Sequence, residues 1–416
     1  MTEPKKLVHP IAFLVLYLPF GASAGFGSVP LAYQLHAHGV GVPSLAIFLS
    51  MNLLPNTWKV LWSPLIDTTL SARKWYAIGV GITALTFLVM AFAPLKAESM
   101  PLLDALAFVL GLASSVAAMG AERFMAFGTS EEQKGRAGGW SQAGNLGGSG
   151  LGGGLGLVLV THTHLQWSAG VLLAVLSLAC ILMAFRLTDP PRVGEAKLYL
   201  TSLKEAGRDV FALATRRIGL LALFICLLPM GTGAAGNLWS VVAGDWRASA
   251  DEVALVSGLL SGVLTIVGAL GAGYICDRMD RKGAYALFGV LGGLAAVILA
   301  LAPRTPTSFL LFTSLYNLMT GASFAAFGAL TLEAIGQGAA ATKYNLIASV
   351  ANVPILLTTL ADGRAQQAFG SGGMLLTEAA MAIGAAGLYL AVARLTRGWS
   401  WQGARRLAGL APAAGG

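Results

Sequence analysis

Residues 273–282 read Gly-Tyr-Ile-Cys-Asp-Arg-Met-Asp-Arg-Lys, and this short charged stretch decides the fold. Its first three residues end one apolar stretch, residues 252–275, and a second apolar stretch, residues 283–302, follows it. Each is long enough to cross a membrane as a helix of about 20 residues. Gly273 permits close contact between helices, Asp277 can cap or pair at a helix terminus, and the basic residues hold the loop on the cytoplasmic side. The stretch therefore predicts two transmembrane helices joined by a short cytoplasmic loop.

The composition of the whole chain also indicates a membrane protein. Of its 416 residues, 56% are hydrophobic and 11% are charged, whereas soluble domains average about 25% charged residues. A chain this apolar could not cover a soluble surface, and a disordered chain needs the opposite composition. The 53 glycines suit membrane helices that pack closely through small residues. The composition thus argues against a cytosolic enzyme.

Apolar stretches of membrane-spanning length recur along the sequence. Twelve qualify, approximately residues 11–34, 43–66, 75–94, 101–126, 136–161, 168–187, 218–242, 252–275, 283–302, 307–334, 339–362 and 373–395. The longest polar stretch between them, residues 188–217, is basic. We therefore predict an all-α polytopic membrane protein with two six-helix halves, residues 1–187 and 218–395. A cytoplasmic linker, residues 188–217, joins them, and a cytoplasmic tail, residues 396–416, follows.

The positions of lysine and arginine predict the orientation. If the N-terminus is cytoplasmic, 22 of the 27 basic residues lie on cytoplasmic segments and 4 lie outside, while Lys59 lies within a span. This asymmetry predicts that both termini are cytoplasmic. It also explains the net charge of +8 without a nucleic-acid partner.

Polar landmarks repeat between the two halves. Asp67 and Asp277 are 210 residues apart, Glu122 and Glu333 are 211 apart, and Lys134 and Lys343 are 209 apart. Three pairs with nearly one offset indicate two pseudo-symmetric halves around a central path. The glycine-rich fifth span, residues 136–161, is expected to pack closely at the interface between the halves.

The pattern Gly273-x-x-x-Asp277-Arg278-x-x-Arg281-Lys282 resembles the loop signature of the major facilitator superfamily. In that family it lies between the second and third helices of a half, where this chain has it. The resemblance implies a transporter in which two six-helix halves rock around a site near the middle of the bilayer.

A second stretch, residues 54–67, is similar to a narrower group, the muropeptide permeases and acetyl-coenzyme A transporters. The shared pattern is Lys-x-x-Trp-(Ala/Ser)-Pro-x-x-Asp, here Lys59 to Asp67. In span 4 the chain departs from the group, which usually has a Gln-Asp pair and a further acid there, because the matching stretch is Ser-Ser-Val-Ala-Ala-Met, residues 114–119. Related bacterial permeases import siderophores. The resemblance therefore implies uptake of a small polar, anionic solute (muropeptide-, siderophore- or acyl-conjugate-like) across the bacterial inner membrane, with a proton as the coupling ion.

Lys59 is the foremost candidate for binding that solute. A cation within a span costs at least about 2.5 kcal/mol on insertion scales unless it is paired or hydrated. The repeat does not require it, since the corresponding position in the second half is Ala269. Lys59 could meet a carboxylate, phosphate or catecholate of the solute. Alternatively, it reaches the cytoplasmic interface or pairs with Glu122.

Other polar residues within the spans are also candidates, since lipid-facing helices rarely carry such groups. The remaining predicted solute-binding residues are Tyr17, Asn56, Gln142, Asn145, Trp239, Tyr316, Asn317 and Asn352. The predicted gating or coupling residues are Asp67, Glu122, Arg123, Asp277, Arg278, Arg281 and Glu333. Some of the amides could instead form hydrogen bonds between helices. Glu122 or Glu333 could bind the coupling proton, and we expect no carboxylate at the centre of a span.

No cofactor or metal is predicted. The pairs His36-x-His38 and His162-x-His164 could bind a transition metal, but interfacial histidines are also common. The sequence carries no phosphate-binding loop and no plausible catalytic triad, so we predict that the chain is not an enzyme. We expect a monomer whose partners are the solute, a proton and the lipid bilayer. The alternatives are a drug or metabolite efflux pump of the same fold and, in a different class, a membrane enzyme or a lipid scramblase.

Overall fold

The computed structural model describes residues 8–129, 134–189, 208, 223–276, 278–335 and 340–395. Within these ranges every regular element is helical. Two compact units are present. The first contains the described residues up to 208, together with residues 237–244 and 248–262. The second contains residues 223–236, 245–247 and the described residues from 263 onward.

The first unit contains eleven α-helices in its described residues. They are α1 (Ile11–Phe26), α2 (Ala32–Ala37), α3 (Val42–Thr57), α4 (Ser63–Thr68), α5 (Ala72–Phe92), α6 (Met100–Gly128), α7 (Lys134–Gly150), α8 (Gly156–Thr163), α9 (Ser168–Arg186), α10 (Trp239–Val242) and α11 (Ala250–Ala254). Three π-helical segments, Gly27–Leu31, Leu151–Leu155 and Leu255–Leu260, extend α1, α7 and α11 without a break.

The second unit is built from longer helices. They are α12 (Ser261–Cys276, whose first turn belongs to the first unit), α13 (Arg281–Leu301), α14 (Pro306–Ile335) and α15 (Ala340–Leu395). The core is lined largely by small and aromatic side chains from α12 to α15, with Tyr285 of α13 packed against Phe327 of α14 at a ring-centroid distance of 6.0 Å.

Most of the predicted spans are present as single helices. Nine helices in the described part of the chain are long and apolar enough to cross a membrane. One of them, Leu346–Val392, bends at Gly370 and contains both predicted spans 11 and 12. Spans 2 and 7 are not among the nine. The all-helical membrane fold is confirmed, while the division into halves around residues 188–217 stays a prediction. Most of that linker and the tail 396–416 lie outside the described residues.

Span 2 is not the continuous helix over residues 43–66 that the sequence predicts. Helix α3 ends at Thr57, a 3-10 turn covers Lys59–Leu61, and α4 begins at Ser63. Trp58 leaves the helical region with φ −129° and ψ 14°. Pro55 removes an N–H from the last turn of α3, and Pro64 at the start of α4 cannot extend a preceding helix without a clash.

Span 11 is longer than predicted. The sequence places its end at residue 362, but the helix continues until Gly370, where φ is +69° and ψ is −174°. A glycine adopts this left-handed conformation without the steric cost that a side chain would add. Gly370 therefore divides α15 into two arms, residues 340–369 and 371–395.

Glycines set the closest helix contacts of the first unit. A side chain at Gly144, Gly148 or Gly152 would overlap backbone atoms of α1, so these three glycines pack α7 and its π-helical extension against α1. Gly258 approaches Gly154 in the same way, where a Cβ would lie 2.5 Å from the Gly154 Cα. The glycines of span 5 therefore serve mainly to hold α1 and α7 together.

Candidate functional site

Lys59 and Glu122 form an ion pair in the first unit. The Nζ atom of Lys59 lies 3.5 Å from Oε1 of Glu122. The side chains are 17% and 26% exposed, respectively, so the pair is largely shielded but remains reachable. The structure thus brings together two residues that the sequence places in different spans, and it shows the pairing expected as the alternative for Lys59.

The break in span 2 positions Lys59. The 3-10 turn Lys59–Leu61 turns the lysine toward α6, which carries Glu122. The rings of Trp58 and Trp62 flank this turn with centroids 5.7 Å apart. Asn56 lies half-buried in the last turn of α3. A cation, an amide and two indoles are thus grouped at one irregular point of an apolar segment.

Arg123, next to Glu122, donates hydrogen bonds to backbone oxygens, while its predicted gating role stays a prediction. It is 5% exposed, and its Nη1 atom donates to the backbone oxygens of Ile66 at 2.8 Å and Leu70 at 3.0 Å. These carbonyls lie at the C-terminal end of α4, where helical carbonyls lack partners within the helix. Arg123 therefore fixes the end of α4 to α6.

The loop charges bind backbone groups. Arg73 donates to the oxygen of Leu187 at 2.7 Å, and Arg278 donates to that of Tyr274 at 3.0 Å while stacking on the Tyr274 ring. Asp280 caps α13 by accepting from Gly283 N at 2.9 Å, the capping role that the sequence suggested for Asp277. Arg281 is the first residue of α13.

Three predicted gating residues cannot be placed. Asp277 lies outside the described residues, and so do the side chains of Asp67 and Glu333. Their roles stay predictions, as does the offset that relates Asp67 to Asp277.

The predicted solute-binding residues differ in exposure. Tyr17 and Trp239 are buried in the first unit, where Asn145 is half-buried and Gln142 is exposed. In the second unit Tyr316 and Asn317 are buried. Asn352 is half-buried there and donates to the Ala348 oxygen at 2.9 Å. Their roles in solute binding stay predictions.

A buried group of acidic and hydroxyl side chains lies in the second unit. Glu378 is 3% exposed, and its Oε1 atom accepts hydrogen bonds from the Tyr316 hydroxyl at 2.6 Å and the Thr232 hydroxyl at 3.2 Å. The backbone N–H of Ala235 also interacts favourably with this carboxylate. Tyr316 thus binds an acid of the protein in this structure.

Asp362 completes this group, which we call the acid cluster: Thr232, Tyr316, Asp362 and Glu378. Asp362 is fully buried and interacts directly with the carboxyl group of Glu378. Among the described residues no donor reaches either oxygen of Asp362 or Oε2 of Glu378. Asp362 does not lie at the end of its helix, as the predicted bounds of span 11 imply, because the first arm of α15 continues for another seven residues to Phe369.

The sequence does contain a signal for this cluster. Asp362 and Glu378 are each eight residues from Gly370. Two antiparallel arms that meet at Gly370 therefore bring both carboxyl groups to the same level, about 12 Å from the bend at 1.5 Å per residue. The signal becomes readable only when the bend is known.

Three of the four histidines in the two pairs, His36, His38 and His162, contact a backbone oxygen four residues away. His36 Nδ1 lies 3.2 Å from the Val40 oxygen and His38 Nδ1 lies 2.7 Å from the Gln34 oxygen, at the end of α2. His162 Nε2 lies 3.9 Å from an Asp251 oxygen. No group of three His, Cys, Asp or Glu residues in the described ranges could hold a metal ion.

An open groove runs along α15. Its volume is about 720 Å³, and it is lined by Phe369, Gly373, Leu376, Thr377, Ala380 and Met381. These six residues include no charged side chain, so the groove offers little for binding a charged solute.

Similar solved structures share this fold at low sequence identity. A single-residue mutant of the nucleoside transporter NupG matches with a TM-score of 0.70 and 17% identity, covering 92% of this chain and 99% of that chain. The D-xylose-proton symporter matches with a TM-score of 0.68 and 12% identity, covering 91% and 96%. A POT family transporter in complex with a thioalcohol-conjugated peptide matches with a TM-score of 0.69 and 11% identity, covering 93% and 96%.

The sequence itself also matches a family. Residues 11–359 match the Major Facilitator Superfamily, which is most of the chain. The matched residues contain several apolar helices of membrane-spanning length, so the protein is a multi-pass membrane protein. We conclude that the chain belongs to the Major Facilitator Superfamily and is a transporter rather than an enzyme.

Proposed function

We propose that the protein takes up a small polar, anionic solute across the bacterial inner membrane, driven by protons. Two six-helix halves, residues 1–187 and 218–395, alternate access to a site near the middle of the bilayer, and both termini are cytoplasmic. The solute belongs to the muropeptide-, siderophore- or acyl-conjugate-like classes, in keeping with the resemblance of residues 54–67 to the muropeptide permease branch.

The ion pair of Lys59 and Glu122 carries this proposal. A lone cation in an apolar segment is costly, and Glu122 neutralises it in this structure. The 3.5 Å separation is long for a charge-assisted hydrogen bond, and both side chains are partly exposed. An anionic solute can therefore replace Glu122 as the partner of Lys59 without leaving a buried cation unpaired.

Proton coupling and inward direction rest on resemblance. The resemblance to the muropeptide permease branch suggests that transport is inward. Proton coupling is suggested by a protein of similar fold that is a D-xylose-proton symporter. The similar structures are those of a nucleoside transporter, a D-xylose-proton symporter and a transporter in complex with a conjugated peptide, so the fold alone does not identify the transported solute. The charge at Lys59 narrows the choice to anions.

Uptake into proteoliposomes tests the proposal. The purified full chain is supplied with labelled anhydromuropeptide, ferric catecholate siderophore or acyl-coenzyme A, and with D-xylose and a nucleoside as neutral comparators. We expect accumulation of an anionic solute under a proton gradient directed into the vesicles. Accumulation of only the neutral solutes would contradict the proposal, and pumping in the opposite direction would identify an efflux pump.

Replacing Lys59 tests its role directly. We expect Lys59→Ala to raise the KM for the anionic solute at least about tenfold, because a hydrogen bond to a charged group contributes about 1.5–3 kcal/mol. Lys59→Arg keeps the charge and is expected to lie between wild type and Lys59→Ala. The matched control is Lys96→Ala, since Lys96 pairs with Glu98 at 3.8 Å on the surface with exposures of 62% and 78%. Wild-type KM in Lys59→Ala would exclude this role.

A further inference from the structure

The acid cluster places two carboxyl groups side by side away from water. Asp362 lies on the first arm of α15 and Glu378 on the second, each eight residues from the bend at Gly370. Asp362 is 0% exposed and Glu378 is 3% exposed. Two buried negative charges that have no ion-pair partner in the described part of the chain are strongly unfavourable, so a positively charged ligand would stabilise them.

The hydrogen bonds distinguish the two acids. Oε1 of Glu378 accepts from two hydroxyl groups, and this stabilises its ionised form, which can only accept. Both oxygens of Asp362 and Oε2 of Glu378 have no donor among the described residues. Two carboxylates cannot hydrogen bond to each other, but a protonated Asp362 can donate to the free Oε2 of Glu378.

We propose that the acid cluster is the proton-binding site of this transporter. Asp362 carries the proton, and the carboxylate of Glu378 accepts the hydrogen bond that the protonated Asp362 donates. The proposal rests on the proposed proton-coupled function. The proton enters from the outer solution and leaves to the cytoplasm, and no other bond changes. Without the proton, the two arms of α15 hold two negative charges together. The proton can therefore leave only when the arms separate or water enters between them.

The surroundings favour a proton over a metal cation. The hydroxyl groups of Tyr316 and Thr232 already donate to Glu378, so their hydrogens point at the acid. In the described ranges no Lys, Arg or His forms an ion pair with either carboxyl group, and no third acid joins them. A sodium ion would need a shell of several oxygen ligands, whereas a proton needs a single acceptor.

The other ionisable groups on the elements around the acid cluster make different contacts or are exposed. Tyr285 of α13 donates to the Met230 oxygen at 2.8 Å, and Tyr389 on the second arm is buried. The Arg304 guanidinium stacks on the Trp246 ring at 3.9 Å, and Asp245 accepts a hydrogen bond from Ser371. Arg364 on the first arm is exposed.

Infrared spectroscopy of the purified full chain at neutral pH tests the proposal without a known solute. A protonated carboxyl group has a C=O stretching band that a carboxylate lacks and that shifts in D₂O. We expect Asp362→Asn to remove one such band, and Glu378→Gln to keep it at a shifted frequency because its acceptor has changed. Asp104→Asn, a half-buried acid of the first unit, is the control and keeps the band. Asn and Gln resemble the neutral acids, so both variants are expected to fold.

The outcomes separate this site from the proposed function. Identical carboxyl bands in wild type and Asp362→Asn would overturn the site, and so would loss of the wild-type band on adding Na⁺ at constant pH. For the solute found by uptake, Asp362→Asn should lose gradient-driven accumulation, whereas the control Asp104→Asn should keep it within about twofold. If the band depends on Asp362 but a proton gradient does not drive wild-type uptake, the site stands and proton-coupled uptake fails.

Discussion

Two buried tyrosines of the second unit donate hydrogen bonds to acceptors of different charge. Tyr316 donates to the carboxyl group of Glu378 at 2.6 Å, whereas Tyr285 donates to the backbone oxygen of Met230 at 2.8 Å. Both tyrosines are buried, at 3% and 7% exposure. Because burial and donor match, the pair isolates the effect of the acceptor charge.

We predict that Tyr316→Phe destabilises the protein more than Tyr285→Phe. A hydrogen bond to a charged group contributes about 1.5–3 kcal/mol and one to a neutral group about 0.5–1.5 kcal/mol. Thermal unfolding of the two variants in the same detergent measures the difference. Equal losses would indicate that Glu378 is not ionised.

Lys59, Asp362 and Glu378 show two ways in which a charge is accommodated within apolar segments. Lys59 pairs with an opposite charge and stays partly exposed. Glu378 is enclosed by hydroxyl donors, and Asp362 faces it. In our proposals the first arrangement exchanges its partner for an anionic solute, and the second binds a proton.

At the scale of elements, glycines decide which helices can approach. Gly268 and Gly271 lie on the same helix, α12. A Cβ at Gly268 would overlap the backbone oxygen of Leu318 on α14, whereas a Cβ at Gly271 would meet nothing within 4 Å. The two glycines therefore lie on the same apolar helix, but only Gly268 has a close neighbour.

We therefore predict opposite effects of alanine at these two positions. Gly268→Ala should cost about 1–3 kcal/mol because α12 and α14 must move apart. Gly271→Ala should be neutral or stabilise by up to about 1 kcal/mol, since alanine is the better helix former. Thermal unfolding distinguishes them, and a stable Gly268→Ala would show that the contact with Leu318 is loose.

Breaks in helices place both groups of polar residues. The 3-10 turn after Trp58 directs Lys59 toward α6, and the bend at Gly370 pairs Asp362 with Glu378. Both breaks occur where the backbone departs from helical geometry, at Trp58 and at Gly370. The irregular points of otherwise apolar helices thus position the residues to which we assign solute and proton binding.

At the scale of the whole molecule, the proposed topology can be tested by cysteine labelling. The natural cysteines, Cys180, Cys226 and Cys276, are all buried, so the background labelling is expected to be low. Glu98 lies on a predicted outer loop, and Arg278 lies on a predicted cytoplasmic loop; both are exposed. The two positions therefore report opposite sides of the membrane.

We predict that a membrane-impermeant thiol reagent labels Glu98→Cys in intact cells but labels Arg278→Cys only after the membrane is opened. The reason is the excess of basic residues on the predicted cytoplasmic segments. The unsubstituted chain is the control. Labelling of Arg278→Cys in intact cells would reverse the proposed orientation.

Most of the fold could be predicted from the sequence, but less of the site. Ten of the twelve predicted spans lie on long apolar helices in the described residues, because length and hydropathy alone select membrane helices. The break at Trp58 is not predicted, since an apolar window averages over a single departing residue. A break between spans 11 and 12 is predicted over residues 363–372, but the sequence alone does not place it at Gly370. The pairing of Lys59 with Glu122 is one of the three arrangements that the sequence leaves open for this lysine.

The sequence by itself determined that this chain is a helical membrane protein of the Major Facilitator Superfamily, because hydropathy and the loop pattern are local properties. It also singled out Lys59, because one charge in an apolar segment stands out without knowledge of its neighbours. Only the tertiary structure revealed the acid cluster. In the sequence Asp362 and Glu378 lie near the ends of two predicted helices, and only the bend at Gly370 brings them together. Their different roles in our proposal follow from the hydrogen-bond donors, which reach Glu378 but not Asp362 among the described residues.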